Sequence, residues 1–163
     1  MPGAVAPFVG SHRGTLRMYG ENGVREVPMG LDVEPVAGAT DRLRWVLRYG
    51  EGASAQARDY LLLVDDAAAG RYRIDEQNGI VLPARLCDGE LVSVFAVGGQ
   101  VLVARYRAVA VGVEFALESF GVGSDGSDAA TPTTGAATGA AGVTPIAEVA
   151  VQRALLHRTT GAR

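Results

Sequence analysis

At 163 residues, 48% hydrophobic and with a formal net charge of −3, the chain is the size of one domain with a substantial core. That balance supplies neither a basic stripe for nucleic acid nor an acidic block for a solvating tail. The single cysteine, Cys87, excludes an intramolecular disulfide and any cysteine-based metal cluster, and no apolar run approaches the roughly 18 residues of a membrane span.

All 15 cationic residues are arginine. Together with the Ala, Gly and Val content, this reflects a GC-rich genome rather than a function. The opening stretch, Met1 to Val9, is too short and uncharged for a secretory signal. A cytoplasmic protein is the expectation.

In chain order, short apolar stretches alternate with turn residues. Asn22-Gly23, Gly50-Glu51-Gly52, Gly70, Asn78-Gly79, Asp88-Gly89, Gly98-Gly99 and Gly112 punctuate the sequence. The segments between them predict about ten strands, over 10–19, 24–36, 42–49, 57–66, 70–76, 80–87, 90–97, 100–108, 113–120 and 146–157. Successive hairpins without helices point to an all-β, up-and-down antiparallel barrel, because only closure removes exposed strand edges. Residues 121–142 hold Gly, Ala, Ser, Thr and Asp with almost nothing able to pack, and are expected to form a flexible loop inside the single domain 1–163. After it, Thr144-Pro145 could start a helix. A final strand is preferred, since a barrel needs one to meet the first.

Turn chemistry sets the register and hence the inner face. Asp88-Gly89 as a two-residue turn pairs Leu86 with Leu91, Ala84 with Ser93, Leu82 with Phe95 and Ile80 with Val97. Gly98-Gly99 pairs Ser93 with Ala104 and Leu91 with Tyr106, leaving Arg105 and Arg107 outside. Val111-Gly112 as the next turn pairs Ala104 with Ser119 and Tyr106 with Leu117. A two-residue Asn78-Gly79 turn would bury Arg73 and Asp75, which is costly. A three-residue loop, Gln77-Asn78-Gly79, with Gly79 at positive φ, avoids this and pairs Tyr72 with Ala84.

One inner row then reads Tyr72, Ala84, Ser93, Ala104, Ser119. Four of the five are small, so a ligand cavity is expected at that height, between Leu82, Phe95 and Leu102 on one side and Leu86, Leu91, Tyr106 and Leu117 on the other. Tyr106 and Trp45 join the expected ligand-binding set, although Trp45 and Phe95 are also large enough to close the gap. Arg58 and Arg153 flank apolar strands and could meet a ligand carboxylate. Val92, Val94, Val101 and Val103 form an outer β-branched stripe suited to a homodimer contact.

Phe8-Val9-Gly10-Ser11-His12-Arg13-Gly14 resembles the start of calycin-type barrels, the superfamily of lipocalins, fatty-acid-binding proteins and nitrobindins. There a Gly-x-Trp opens the first strand and an Arg of the last strand packs over the Trp. Here His12 stands in the Trp position, and Arg153 or Arg158 would be the Arg. The stretch from Arg58-Asp59-Tyr60 through Arg71-Tyr72-Arg73-Ile74-Asp75-Glu76-Gln77-Asn78-Gly79-Ile80 to Arg105-Tyr106 is similar to a bacterial group of calycin-like proteins of unassigned function.

The resemblance implies a binding barrel for a small, largely apolar molecule. The nitrobindin branch also implies haem held by a His near the chain end. With Val149, Val151 and Leu155 taken as inward, alternation places His157 inward as well. Two isolated histidines do not make a zinc site. Asp65-Asp66 and Asp75-Glu76 are paired carboxylates of the kind acid–base chemistry uses, but both sit beside turns. An enzyme therefore ranks third, after a binding barrel and a self-associating structural barrel.

Overall fold

The computed structural model describes residues 3–121 and 147–159. Ten strands form one closed antiparallel barrel in which each strand pairs with its sequence neighbours and β10 returns to β1. They are β1 (Gly10–Gly20), β2 (Gly23–Pro35), β3 (Arg42–Tyr49), β4 (Gln56–Asp66), β5 (Arg71–Asp75), β6 (Val81–Cys87), β7 (Glu90–Val97), β8 (Gln100–Val109), β9 (Gly112–Gly121) and β10 (Ala147–Arg158). The all-β, up-and-down class read from the sequence holds, and the last segment is a strand. Apart from Gly121, which ends β9, the low-complexity stretch 121–142 lies outside the described residues.

The hairpins follow from local turn chemistry. Asp88 and Gly89 take φ of 49° and 76°, and Gly98 and Gly99 take 57° and 76°, the left-handed pair that a two-residue hairpin requires. At the β5–β6 turn Glu76 N–H donates to Ile80 C=O at 3.0 Å across the loop Gln77-Asn78-Gly79, and Gly79 has φ 94°. Tyr72 accordingly faces Ala84, and Ile74 faces Leu82.

The pairing differs from expectation at two places: the β6–β7 ladder ends at Ala84–Ser93, so Leu82–Phe95 and Ile80–Val97 do not pair, and the β8–β9 hairpin is shifted. The β8–β9 turn is Ala110-Val111, with Val109 opposite Gly112, so Tyr106 pairs with Phe115, Ala104 with Leu117 and Leu102 with Ser119. Gly112 is not a turn glycine. A Cβ there would lie 1.9 Å from the Leu156 carbonyl oxygen, so the position is small because β10 presses against it.

The end of the barrel where β1 begins is plugged. A 3-10 helix, Gly3–Phe8, was not anticipated from the sequence; its Val5 and Phe8, at the i, i+3 spacing that eclipses on such a helix, are fully buried. Phe8 packs on Trp45 with ring centroids 5.5 Å apart, Trp45 meets Tyr106 edge-on at 5.1 Å, and Tyr106 meets Phe115 at 5.2 Å. This aromatic chain crosses the interior, each contact worth roughly 1 kcal/mol beyond its buried area. Beside it Arg158 donates to the Val9 and Pro7 carbonyls at 3.0 and 2.7 Å, tying β10 to the plug over the buried His12. Of the two candidate arginines, Arg158 is therefore the one at the His12 end.

The outer wall is laced with cross-strand ion pairs. Asp32 is held by Arg13 and Arg48 at 2.6 and 2.7 Å, and Arg105 links Glu90 at 2.9 Å to Glu118 at 3.7 Å. Among the described residues no helix is long and apolar enough to cross a membrane.

Candidate functional site

Alternation along β3 to β9 leaves a cavity of about 400 Å³ in the end of the barrel opposite the plug. Leu82, Phe95, Leu102 and Leu117 form its walls, Ser93 and Ala104 lie lower, and Tyr106 and Phe115 of the aromatic chain supply its floor. Tyr49, Arg58, Tyr60 and Glu76 stand around it with the exposed Ile80 and Val97. The lining is mostly apolar with a few polar groups gathered at one level, the usual composition of a small-molecule site.

The inner row is thus partly assembled and partly redistributed. Tyr72, Ala84, Ser93 and Ala104 do face one another in sequence across β5–β8, but Leu117 takes the fifth place and Ser119 moves one step along, opposite Leu102. The open space sits higher than the row. It borders the Leu82–Phe95–Leu102 layer, whereas Tyr72 and Ala84 are buried outside its lining. Trp45 lies beneath the floor, closing the lower interior as its size allows.

The expected hydroxyl handles are mostly engaged elsewhere. Ser93 Oγ donates to the Pro83 carbonyl at 2.8 Å and Ser119 Oγ to the Ala150 carbonyl at 3.4 Å. Tyr72 Oη is buried with no hydrogen-bond partner, as are both His12 nitrogens and Trp45 Nε1. Burial lowers the His12 pKa, assisted by the charge of Arg158, so the ring stays neutral in the plugged end.

Two candidate residues are on the wrong face. Arg153 projects from the outer wall and meets Glu118 at 3.4 Å. His157 is exposed outside the barrel, in register with Arg13 of β1. The alternation assumed for β10 was inverted: Ala154 and Leu156 point inward, while Leu155 is 42% exposed. Val151 shares the outer face through its register with Tyr19 and Glu118. Nothing is described of the Val149 side chain. A haem inside the barrel would thus have no His157 ligand, and His12 is packed into the opposite end; these residues do not fit that group.

The carboxylate pairs are explained by the wall and its turns. Asp65 binds Arg73 and Asp66 binds Arg71, at 2.7 and 2.6 Å, and Asp75 accepts the Gln77 N–H at 2.8 Å. Cys87 is exposed at the β6–β7 hairpin.

Pro83 carries a structural signal that the sequence reading missed. A two-residue turn makes Cys87 and Glu90 a hydrogen-bonded pair, and alternation makes Arg85–Val92 and then Pro83–Val94 the next such pairs. Proline has no N–H to give Val94, and the β6–β7 ladder stops at Ala84–Ser93. Both strands continue, β6 on β5 and β7 on β8. Between Val81–Pro83 and Val94–Val97 the wall has an unladdered seam bordering the cavity at Leu82 and Phe95.

Comparison of the sequence with known protein families and with curated proteins finds no match in either.

Proposed function

We propose that this chain is a calycin-like binding barrel, working in the cytoplasm, that takes a small, largely apolar molecule into the cavity at its open end. The observation that supports this most is the apolar space of about 400 Å³ left above an aromatic floor. Filling it with side chains would stabilise the fold by roughly 25 cal/mol per Å² buried, so keeping it open costs stability that a ligand would recover. The residues Arg58-Asp59-Tyr60 and Arg71–Ile80, which resemble a bacterial calycin-like group, are in keeping with this reading. The unpaired Cys87 suits a reducing compartment. A binding role is favoured over a catalytic one because Asp65 and Asp66, at the plugged end, are engaged by arginines, and Asp75, near the rim, by its own turn.

Titration with the neutral dye N-phenyl-1-naphthylamine tests the reading. Saturable, one-to-one enhancement of its fluorescence by the folded protein is expected, and no binding up to the solubility of the dye would refute it.

Self-association is the second reading, favoured by the outer face. Val94 is 51% and Val81 44% exposed on either side of the seam, with Val92, Val101 and Val103 continuing the patch. Sedimentation of wild type against Val94→Glu tests it: a dimer that the charge dissociates supports the reading, and a monomer in both removes it.

A further inference from the structure

We propose that the ligand is an amphipathic monocarboxylate whose head sits at the rim on Arg58, between the hydroxyls of Tyr49 and Tyr60, with its apolar body directed down to the aromatic floor. This deepens the binding reading and rests on it.

Of the fourteen described arginines eleven are matched, and two more, Arg25 and Arg85, are exposed without a carboxylate partner among the described residues but lie outside the cavity lining. Ten of the described ones pair with carboxylates, on residues that alternation turns to the outer wall. Arg158 is used by the Pro7 and Val9 carbonyls. Arg58 is different. Its register opposite Leu47, in step with Tyr60 and Leu62, turns it toward the interior, and it is the one arginine in the cavity lining. Among the described residues no carboxylate lies within 4.0 Å of it. The one acid in the same lining, Glu76, is engaged by Asn78 Nδ2 at 3.3 Å. The turn that carries Glu76 is tied to β4 beside Arg58, through Gln77 Nε2 donating to the Asp59 carbonyl at 2.9 Å.

The neighbours suit an anion. Burial lifts the Tyr49 hydroxyl to about 12, so it remains a protonated donor at neutral pH. The Arg58 guanidinium is charged at any working pH, and its contact with the Tyr60 hydroxyl only raises its pKa further. A guanidinium presents a planar fork that a carboxylate matches with two parallel hydrogen bonds. Below this level Leu82, Phe95, Leu102 and Leu117 offer only hydrocarbon. A charged head cannot sink among them without losing its hydration uncompensated, so it stays at the rim.

The experiment is competition at pH 7 against N-phenyl-1-naphthylamine, using decanoate and 1-decanol, which share a chain length and differ in the charged head. Decanoate is expected to displace the dye at about tenfold lower concentration than decanol, the scale of a partly exposed charge-assisted pair. Arg58→Gln should erase that preference, making decanoate and decanol equally potent, and saturable dye binding by the variant shows that it is folded. Equal potency of the two competitors, or a preference that survives Arg58→Gln, overturns the assignment while the binding reading stands. Failure of wild type to bind the dye or either competitor overturns both.

Discussion

Ala104 tests whether the barrel interior is hollow. Its side chain faces inward from β8 between Ser93 and Leu117, is 7% exposed and borders the cavity. Ala104→Leu adds three carbons. Placed in open apolar space they would contribute about 0.8 kcal/mol each, roughly 2.4 kcal/mol in favour of folding. Fixing the new side chain opposes this by about 0.5–1 kcal/mol. Partial exposure to the open end removes more, so the net change should fall within about 1 kcal/mol of zero. If the same space were already filled, overpacking would cost about 1–3 kcal/mol. Urea unfolding followed by tryptophan fluorescence is the assay, since Trp45 lies under the cavity floor and reports on global unfolding. The midpoint should stay nearly fixed while the affinity for N-phenyl-1-naphthylamine falls. A loss of about 3 kcal/mol would show a full interior and remove the basis of the binding reading.

Pro83→Val supplies an N–H to donate to the Val94 carbonyl and lets the ladder close so that the Val94 N–H donates back to the carbonyl at 83; a net hydrogen bond of about 1 kcal/mol is offset by the greater entropy of the unfolded chain, so stability should barely change while amide exchange at Val94 slows. Unchanged exchange there would mean that something other than the proline holds the seam open. Burial pulls the Asp32 carboxyl upward, but the hydrogen bonds from Arg13 and Arg48 outweigh it and bring the group from 3.8 to about 2. Its stabilisation is therefore present above pH ~4 and is lost as pH falls through about 2. That shift corresponds to about 2 kcal/mol, reduced toward about 1 by the half-exposed arginines. The stability gap between wild type and Asp32→Asn should close over that range, and a gap independent of pH would contradict the assignment. Titration with hemin should give no stoichiometric Soret shift that depends on His157, because that ring is outside the barrel; a shift abolished by His157→Ala would show the placement of β10 to be wrong.

Local chemistry determined most of the barrel. Asp88-Gly89 and Gly98-Gly99 admit one tight hairpin geometry each, and the cost of burying Arg73 and Asp75 selects the three-residue loop at Gln77-Asn78-Gly79. The registers of β5 through β8, and with them the facing row Tyr72, Ala84, Ser93, Ala104, follow from a few adjacent residues. Such signals stop where a turn has no special chemistry. Neither Ala110 nor Val111 takes a positive φ, so nothing local marked them as the β8–β9 turn, and Gly112 drew the register two residues away.

Closure was decided only in three dimensions. Leu155 and Leu156 are adjacent and equally apolar, so alternation alone cannot say which is inside. The choice comes from β10 lying close against two glycines of its neighbours: a Cβ on Gly14 would meet the Leu155 carbonyl at 2.3 Å, and one on Gly112 the Leu156 carbonyl at 1.9 Å. The first of these contacts spans nearly the whole chain, and in the closed barrel Leu156 lies inside and His157 and Arg153 outside. The height of the cavity is likewise a tertiary result. Side-chain sizes in a row indicate where space is available, but the aromatic chain from Phe8 through Trp45 and Tyr106 to Phe115 fills the lower part of the barrel. What remains open lies above that chain, where Arg58 is turned inward by its pairing with Leu47, whereas Arg153, which the sequence offered for the same role, is turned outward by the closure of β10.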